Sequence, residues 1–212
     1  SRSKVLHREV AQKRKHLFVT TIVYIISIIV MLIFNVIEDN FDVMIAFLFP
    51  TAMSTMLVLM LADEKAASIV TILTASSAGV IFQQSYASVL QMDIAMYILF
   101  GGFGALYFMR NIEKRKHLLH SVAIITIINS IFIAFYLLLS QASISLAEAA
   151  FYVIAAIISG LLSGALTMGL LPFFESAFGI LSTMRLIELS NPNHPLLKKI
   201  LIETPGTYHH SV

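Results

Sequence analysis

Long apolar runs separated by short polar connections organise this chain from residue 17 to residue 171. Crossing about 30 Å of hydrocarbon at about 1.5 Å per residue takes about 17–25 mostly uncharged residues, and that requirement marks six segments. They run from Leu17 to Ile37, Phe41 to Leu61, Ala66 to Phe82, Val89 to Met109, Leu118 to Leu139 and Ala147 to Leu171. Period-two alternation is missing, and in lipid every backbone donor and acceptor has to be bonded internally, so the segments are predicted as helices rather than barrel strands. The first run is too long for a signal peptide and lacks a small-residue cleavage site. The second is ambiguous: Pro50 sits mid-run with Thr51, Ser54 and Thr55 close behind, which predicts either a kinked span or a re-entrant piece.

Composition agrees with the pattern. The chain is 58% hydrophobic and 12% charged, with a mean hydropathy of +0.87, whereas soluble domains average about 45–50% apolar and about 25% charged residues. The predicted class is an all-α polytopic transmembrane helix bundle, and its partner is the lipid bilayer. A net charge of +2 gives no argument for nucleic acid. The absence of cysteine excludes disulfides and thiolate metal sites.

Charge asymmetry orients the bundle. Arg2, Lys4, Arg8, Lys13, Arg14 and Lys15 form a basic juxtamembrane segment over residues 1–16. Arg110, Lys114, Arg115 and Lys116 lie between the fourth and fifth segments, and Arg185, Lys198 and Lys199 follow the sixth. The alternate connections carry no Lys or Arg, so six crossings would put both ends in the cytoplasm.

Small residues predict where helices meet: Gly101, Gly102 and Gly104 in the fourth segment, and Ser159, Gly160, Ser163 and Gly164 in the sixth, allow close backbone approach. The sixth-segment pattern serves either contacts within the chain or a homodimer. Ionisable residues are nearly missing from the apolar runs, whose depths hold uncharged polar groups such as Asn35, Thr126, Asn129, Tyr136 and Thr167. That pattern counts against ion-coupled transport. Thr71, Thr74, Ser76 and Ser77 either line a small pocket or bond back to their own helix.

After Leu171 the pattern changes. Pro172 is expected to end the span, and Phe173, Phe174, Phe178, Ile180 and Leu181 alternate with Glu175, Ser176, Ser182 and Thr183 as in an interfacial helix over residues 172–190. Through Pro172, Glu175 and Arg185 this stretch is either a signal lever or a passive spacer. Asn191-Pro192-Asn193-His194-Pro195 then reads as a turn cluster, residues 196–202 as a short amphipathic helix, and Pro205-Gly206-Thr207-Tyr208-His209-His210-Ser211 as a turn followed by a helix that opens with His, the histidines being either metal ligands or plain surface residues.

The runs Glu188-Leu189-Ser190-Asn191-Pro192-Asn193-His194-Pro195-Leu196-Leu197 and Pro205-Gly206-Thr207-Tyr208-His209-His210-Ser211 resemble the start of the cytoplasmic HD domain in bacterial seven-transmembrane HD phosphohydrolases. Leu170-Leu171-Pro172-Phe173-Phe174-Glu175 and Ala62-Asp63-Glu64-Lys65-Ala66 are similar to that family's membrane region. The family includes membrane cyclic-di-AMP phosphodiesterases. The resemblance implies that residues 191–212 begin an HD domain cut short at Val212. It also implies that His210, rather than His209, is the first ligand of a divalent metal pair, Mn or Fe, completed by a His-Asp pair and a later Asp beyond this stretch. These residues by themselves are therefore not expected to hydrolyse anything. A domain that the family carries outside the membrane, ahead of the bundle, implies an odd number of crossings, against the six counted from charge. The function implied is the transmembrane sensory and regulatory region of a phosphohydrolase acting on cyclic di-AMP. The alternatives are a small-solute transporter or channel, or a passive anchor.

Overall fold

The protein is described by a computed structural model. It covers residues 2–38, 40–41, 44–83, 91–110, 115–140, 144–182, 186 and 189–190, with side chains omitted at 2–5 and 115–117. Among these residues every regular element is a helix: α1 (Arg2–Glu38), a 3-10 turn (Ile45–Leu48), α2 (Met53–Leu61), α3 (Glu64–Ile81), α4 (Met92–Met109), α5 (Arg115–Leu139) and α6 (Leu146–Phe178). The expected all-α bundle is therefore observed. Among the described residues four helical stretches are long and apolar enough to cross a membrane: Leu6–Glu38, Met92–Met109, Leu118–Leu139 and Leu146–Phe178.

The second predicted span is broken at Pro50, in keeping with the kinked reading and not with a re-entrant piece. Phe41 to Leu61 is no continuous helix: the 3-10 turn stops ahead of Pro50, and among the described residues of this segment only the nine of α2 are α-helical. Pro50 has no N–H to donate and disfavours helical geometry at Phe49, whose backbone is extended (φ −54°, ψ 133°). The segment still traverses the bundle. At its start Ala46 N–H donates to Glu38 Oε2 (2.7 Å), and just past its end Asp63 Oδ2 lies 3.6 Å from His16 Nδ1. Glu38 and His16 are separated by about 33 Å of α1.

This broken segment fills the middle of the molecule. Ala46, Phe47, Phe49, Ala52, Met53, Met56, Leu57 and Val58 are almost wholly buried, and α2 packs against α1, α3, α4 and α6. The remaining connections alternate in direction. Gln91 N–H donates to Gly79 O where α3 gives way to α4, Gly101 and Gly104 of α4 lie against Asn129 and Ile128 of α5, and Tyr136 near the end of α5 meets Tyr152 near the start of α6. Six traverses result among the described residues. The basic N-terminal part of α1, Asp63 and Gly179 share one end; Glu38, Gln91 and Ser145 share the other.

One correction concerns Pro172. It does not end the span: α6 runs through it for 33 residues to Phe178 and stops at Gly179, in the left-handed region at φ +59°. Proline removes one donor and crowds the preceding turn, yet a helix packed against α2 and α5 over most of its length keeps its path. Gly179 adopts the left-handed geometry that ends helices without a Cβ penalty. Local capping explains the other starts. Asp63 accepts from Ala66 N–H at the start of α3, and Ser145 with Glu148 forms a reciprocal capping box on α6.

The exterior is apolar. Ile25, Ile29 and Ile33 of α1, Ile127, Ile131 and Phe135 of α5, and Ile154 and Leu161 of α6 all face outward, as a lipid solvent requires. Because lipid tails are as apolar as these side chains, close packing has to supply the cohesion between helices. A Cβ at Gly160 would stand 2.2 Å from Thr126 Oγ1 and 2.8 Å from its Cα, and one at Gly164 2.3 Å from Val122 Cγ2. The Gly160–Gly164 face is thus covered by α5 of the same chain.

Two outcomes are expected. The sequence holds no cysteine, so Arg8→Cys, Leu181→Cys and Leu146→Cys can each be labelled alone with a membrane-impermeant maleimide; the first two should react from one side and the third from the other. Gly160→Ala should lower stability by about 1–3 kcal/mol through overpacking, seen as a reduced Tm in detergent. Gly169→Ala, with nothing within 4 Å of the added Cβ, should leave the Tm nearly unchanged.

Candidate functional site

Breaking a helix at membrane depth frees backbone groups that water cannot satisfy, so the polar side chains around Pro50 mark the site of interest. Three of the backbone groups beside Pro50 are met from a neighbouring helix. Ser159 Oγ on α6 donates to Phe49 O (2.5 Å) and accepts from Thr51 N–H (3.4 Å). One turn on, Ser163 Oγ accepts from Ala52 N–H (3.2 Å) while donating to Ser159 O (2.8 Å). The α6 spacing is i and i+4, which puts both hydroxyls on one face.

Asn129 of α5 closes the cluster. Its Nδ2 lies 3.1 Å from Thr51 Oγ1 and 3.2 Å from Ser159 Oγ, and all four side chains are buried. Gly101 of α4 completes the wall: a Cβ there would stand 2.3 Å from Thr51 Oγ1 and 2.9 Å from Asn129 Oδ1. Below it, Thr55 meets Thr71 (2.5 Å) and Ser54 meets Thr74 (3.3 Å) between α2 and α3. A Cβ at Gly102 would come within 2.5 Å of Thr71 Cγ2. The hydroxyls of α3 therefore divide: Ser76 bonds back to Ile72 O, Ser77 reaches Tyr24 of α1, and Thr71 does both, bonding Ala67 O and Thr55.

Toward the Glu38 end the 3-10 turn is held by a carboxylate and a cage of rings. Glu38, only 6% exposed, accepts from Ala46 N–H at 2.7 Å. Tyr97 O–H donates to Phe47 O (3.0 Å). The Phe47 ring meets Tyr97, Tyr136 and Tyr152 edge-on at centroid distances of 5.0–5.3 Å.

Of the residues singled out from sequence, the glycines at 101, 102, 104, 160 and 164 all sit at close approaches between helices. Pro172 and Glu175 lie on α6, with the Glu175 carboxylate accepting from Ser182 Oγ just past the helix end. Arg185, His209, His210 and the whole of 191–212 lie outside the described residues. Among the described residues no group of three His, Asp or Glu side chains is placed to hold a metal. The role of Glu38 was not legible, since it reads as the first residue of a polar connection. Ser159 and Ser163 were marked only as small residues; their spacing opposite a proline-broken partner was the available signal.

Ser159→Ala removes a donor to Phe49 and an acceptor for Thr51 and Asn129, and should cost about 1–3 kcal/mol because those groups stay buried. Ser76→Ala, which loses only an exposed bond to its own helix, should cost far less. Thermal unfolding of both variants in one detergent checks the difference.

Comparison with known proteins places the chain. Residues 2–182 match the family model described as a 7TM receptor with intracellular HD hydrolase. The cyclic-di-AMP phosphodiesterase PgpH of Bacillus subtilis (strain 168) is 38% identical over 194 residues, 92% of this chain and 27% of that protein. The PgpH of Listeria monocytogenes serotype 1/2a is 34% identical over 202 residues, 95% of this chain and 28% of that protein. The chain thus spans just over a quarter of the length of these relatives. No solved structure matches it. The membrane bundle built around the break at Pro50 therefore belongs to the family of 7TM receptors with an intracellular HD hydrolase.

Proposed function

We propose that this chain is the transmembrane sensory and regulatory region of a membrane-bound phosphodiesterase that hydrolyses cyclic di-AMP, and that it relays a signal to a cytoplasmic HD domain beginning near Asn191. The observation that carries the reading is the course of α6, which runs without interruption from the polar cluster at Ser159 and Ser163 to Gly179, where the chain turns toward the tail. The activity of the relatives, cyclic-di-AMP phosphodiesterases, supplies the reaction class. The basic end of the bundle, with Arg8, Lys13, Arg14, Lys15 and Arg110, faces the cytoplasm of a bacterial cell under the positive-inside rule. Gly179, where α6 ends, lies at that same end.

His210 is the residue we assign to the metal pair, Mn or Fe, of the HD domain, with His209 the lesser candidate. When bound, such a pair activates water and neutralises phosphate charge. Pro172, Glu175 and Arg185 are assigned to signal coupling. A homodimer would have to use a face other than Gly160–Gly164, which α5 covers.

The test is Mn²⁺-dependent hydrolysis of cyclic di-AMP by the uninterrupted protein in native membranes. The wild type should turn over, and His210→Ala should fall to background. Pro172→Ala, which restores the missing amide to α6, should change kcat at least about twofold with KM unaltered. A kcat equal to the wild type's both in Pro172→Ala and in a protein whose bundle is replaced by an unrelated anchor would reduce the bundle to a tether.

A further inference from the structure

Outside the polar cluster, one surface feature combines charge with an apolar trough. Between the basic part of α1 and the end of α6 lies an open cavity of about 710 Å³ lined by Ala11, Arg14, Lys15, Leu17, Phe18, Thr21, Ala177 and Phe178. Residues 11, 14, 15, 18 and 21 recur at helical spacing, so they form one stripe along α1. Glu9, the acid of this basic stretch, falls on the opposite side of the helix at about 100° per residue, and His16 is turned toward Asp63. The trough therefore carries two cations and no facing carboxylate from its own helix.

From α6, the nearest acid, Glu175, is engaged by Ser182. The wall below the cations is aromatic. Phe18 meets Phe178 edge-on at 5.6 Å, and Phe178 stacks on Phe174 at 5.9 Å. Leu17, 69% exposed, and Phe18, 59% exposed, leave apolar surface beside Arg14 and Lys15, which are themselves exposed. Cations at the end of a membrane span, immediately above exposed apolar side chains, match a molecule that is anionic at its head and hydrocarbon below.

We propose that this trough is a binding site for an anionic phospholipid, with the phosphate against Arg14 and Lys15 and an acyl chain along Leu17, Phe18 and Phe178. Basic pockets between helices on the cytoplasmic side recognise such headgroups by charge, and acyl burial adds the hydrophobic term. The occupant would tie α1 to the last turn of α6, next to the point where the chain leaves the bundle. Binding itself does not rest on the reading of the HD domain.

The experiment is native mass spectrometry of the uninterrupted protein, delipidated and re-equilibrated with equimolar phosphatidylglycerol and phosphatidylcholine. The wild type should retain phosphatidylglycerol preferentially. Each neutralised charge should lower the phosphatidylglycerol to phosphatidylcholine ratio on the order of fivefold, so Arg14→Gln/Lys15→Gln should nearly abolish the preference. Arg14→Lys/Lys15→Arg should restore it. Arg110→Gln, at the same end but outside the trough, should leave it unchanged, and a normal Tm for each variant certifies folding. An unchanged ratio in the double variant, an equal drop in Arg110→Gln, or displacement of the lipid by millimolar inorganic phosphate would each overturn the proposal.

Discussion

Backbone polarity at membrane depth is the constraint on which the rest of this structure depends. A proline in the middle of an apolar run leaves amides and carbonyls without intrahelical partners, and hydrocarbon offers none. The answer is to place the broken segment at the centre of the bundle and supply its partners from four directions. Glu38 of α1 takes Ala46 N–H, Tyr97 of α4 reaches Phe47 O, Ser159 and Ser163 of α6 serve Phe49, Thr51 and Ala52, and Asn129 of α5 binds the Thr51 side chain. Among the described residues no buried side-chain polar atom is left without a partner. These helices cannot slide independently without breaking bonds whose loss is expensive in a low-dielectric interior.

The glycines follow from the same arrangement. For short hydroxyls and an amide to reach across helix boundaries, the helices have to approach closely, and the positions opposite Thr51, Thr71, Thr126 and Val122 are Gly101, Gly102, Gly160 and Gly164. A methyl at any of them would push apart the surfaces that the bonds join. Packing and hydrogen bonding are therefore not separate contributions here: the glycine sets the separation at which the hydroxyl has a partner.

Much of the fold is legible in the sequence because lipid simplifies the rules. Span length and the absence of strand alternation were enough to anticipate helices whose starts lie close to those observed at residues 92 and 146. The two prolines were harder because local chemistry acts alike at both while packing does not. At Pro50 the break is tolerated since partners surround it; at Pro172 the helix persists because its preceding turns are clamped against α2 and α5. Which hydroxyl meets which carbonyl was illegible. Periodicity assigns Ser159 to a face, but only the topology brings Phe49 to it. The assignment of the tail to an HD domain rests on resemblance, and the tail lies outside the described residues.

In the proposed relay, α6 has two properties that pull against each other. It is bonded at Ser159 and Ser163 to the broken segment, so a rearrangement there displaces the helix as a body. From Ser163 to Gly179 is about 24 Å of helix, far enough to carry that displacement to the basic end of the bundle. Yet Pro172 removes one hydrogen bond on the way, making the last turns easier to bend. A bend at Pro172 would convert a small axial or rotational shift into a lateral movement of Phe178, which packs against Phe18 of α1, and of Phe174, which stacks on Phe178. The α1–α6 contact is thus where a signal from the core and a lipid in the trough would act on the same two rings.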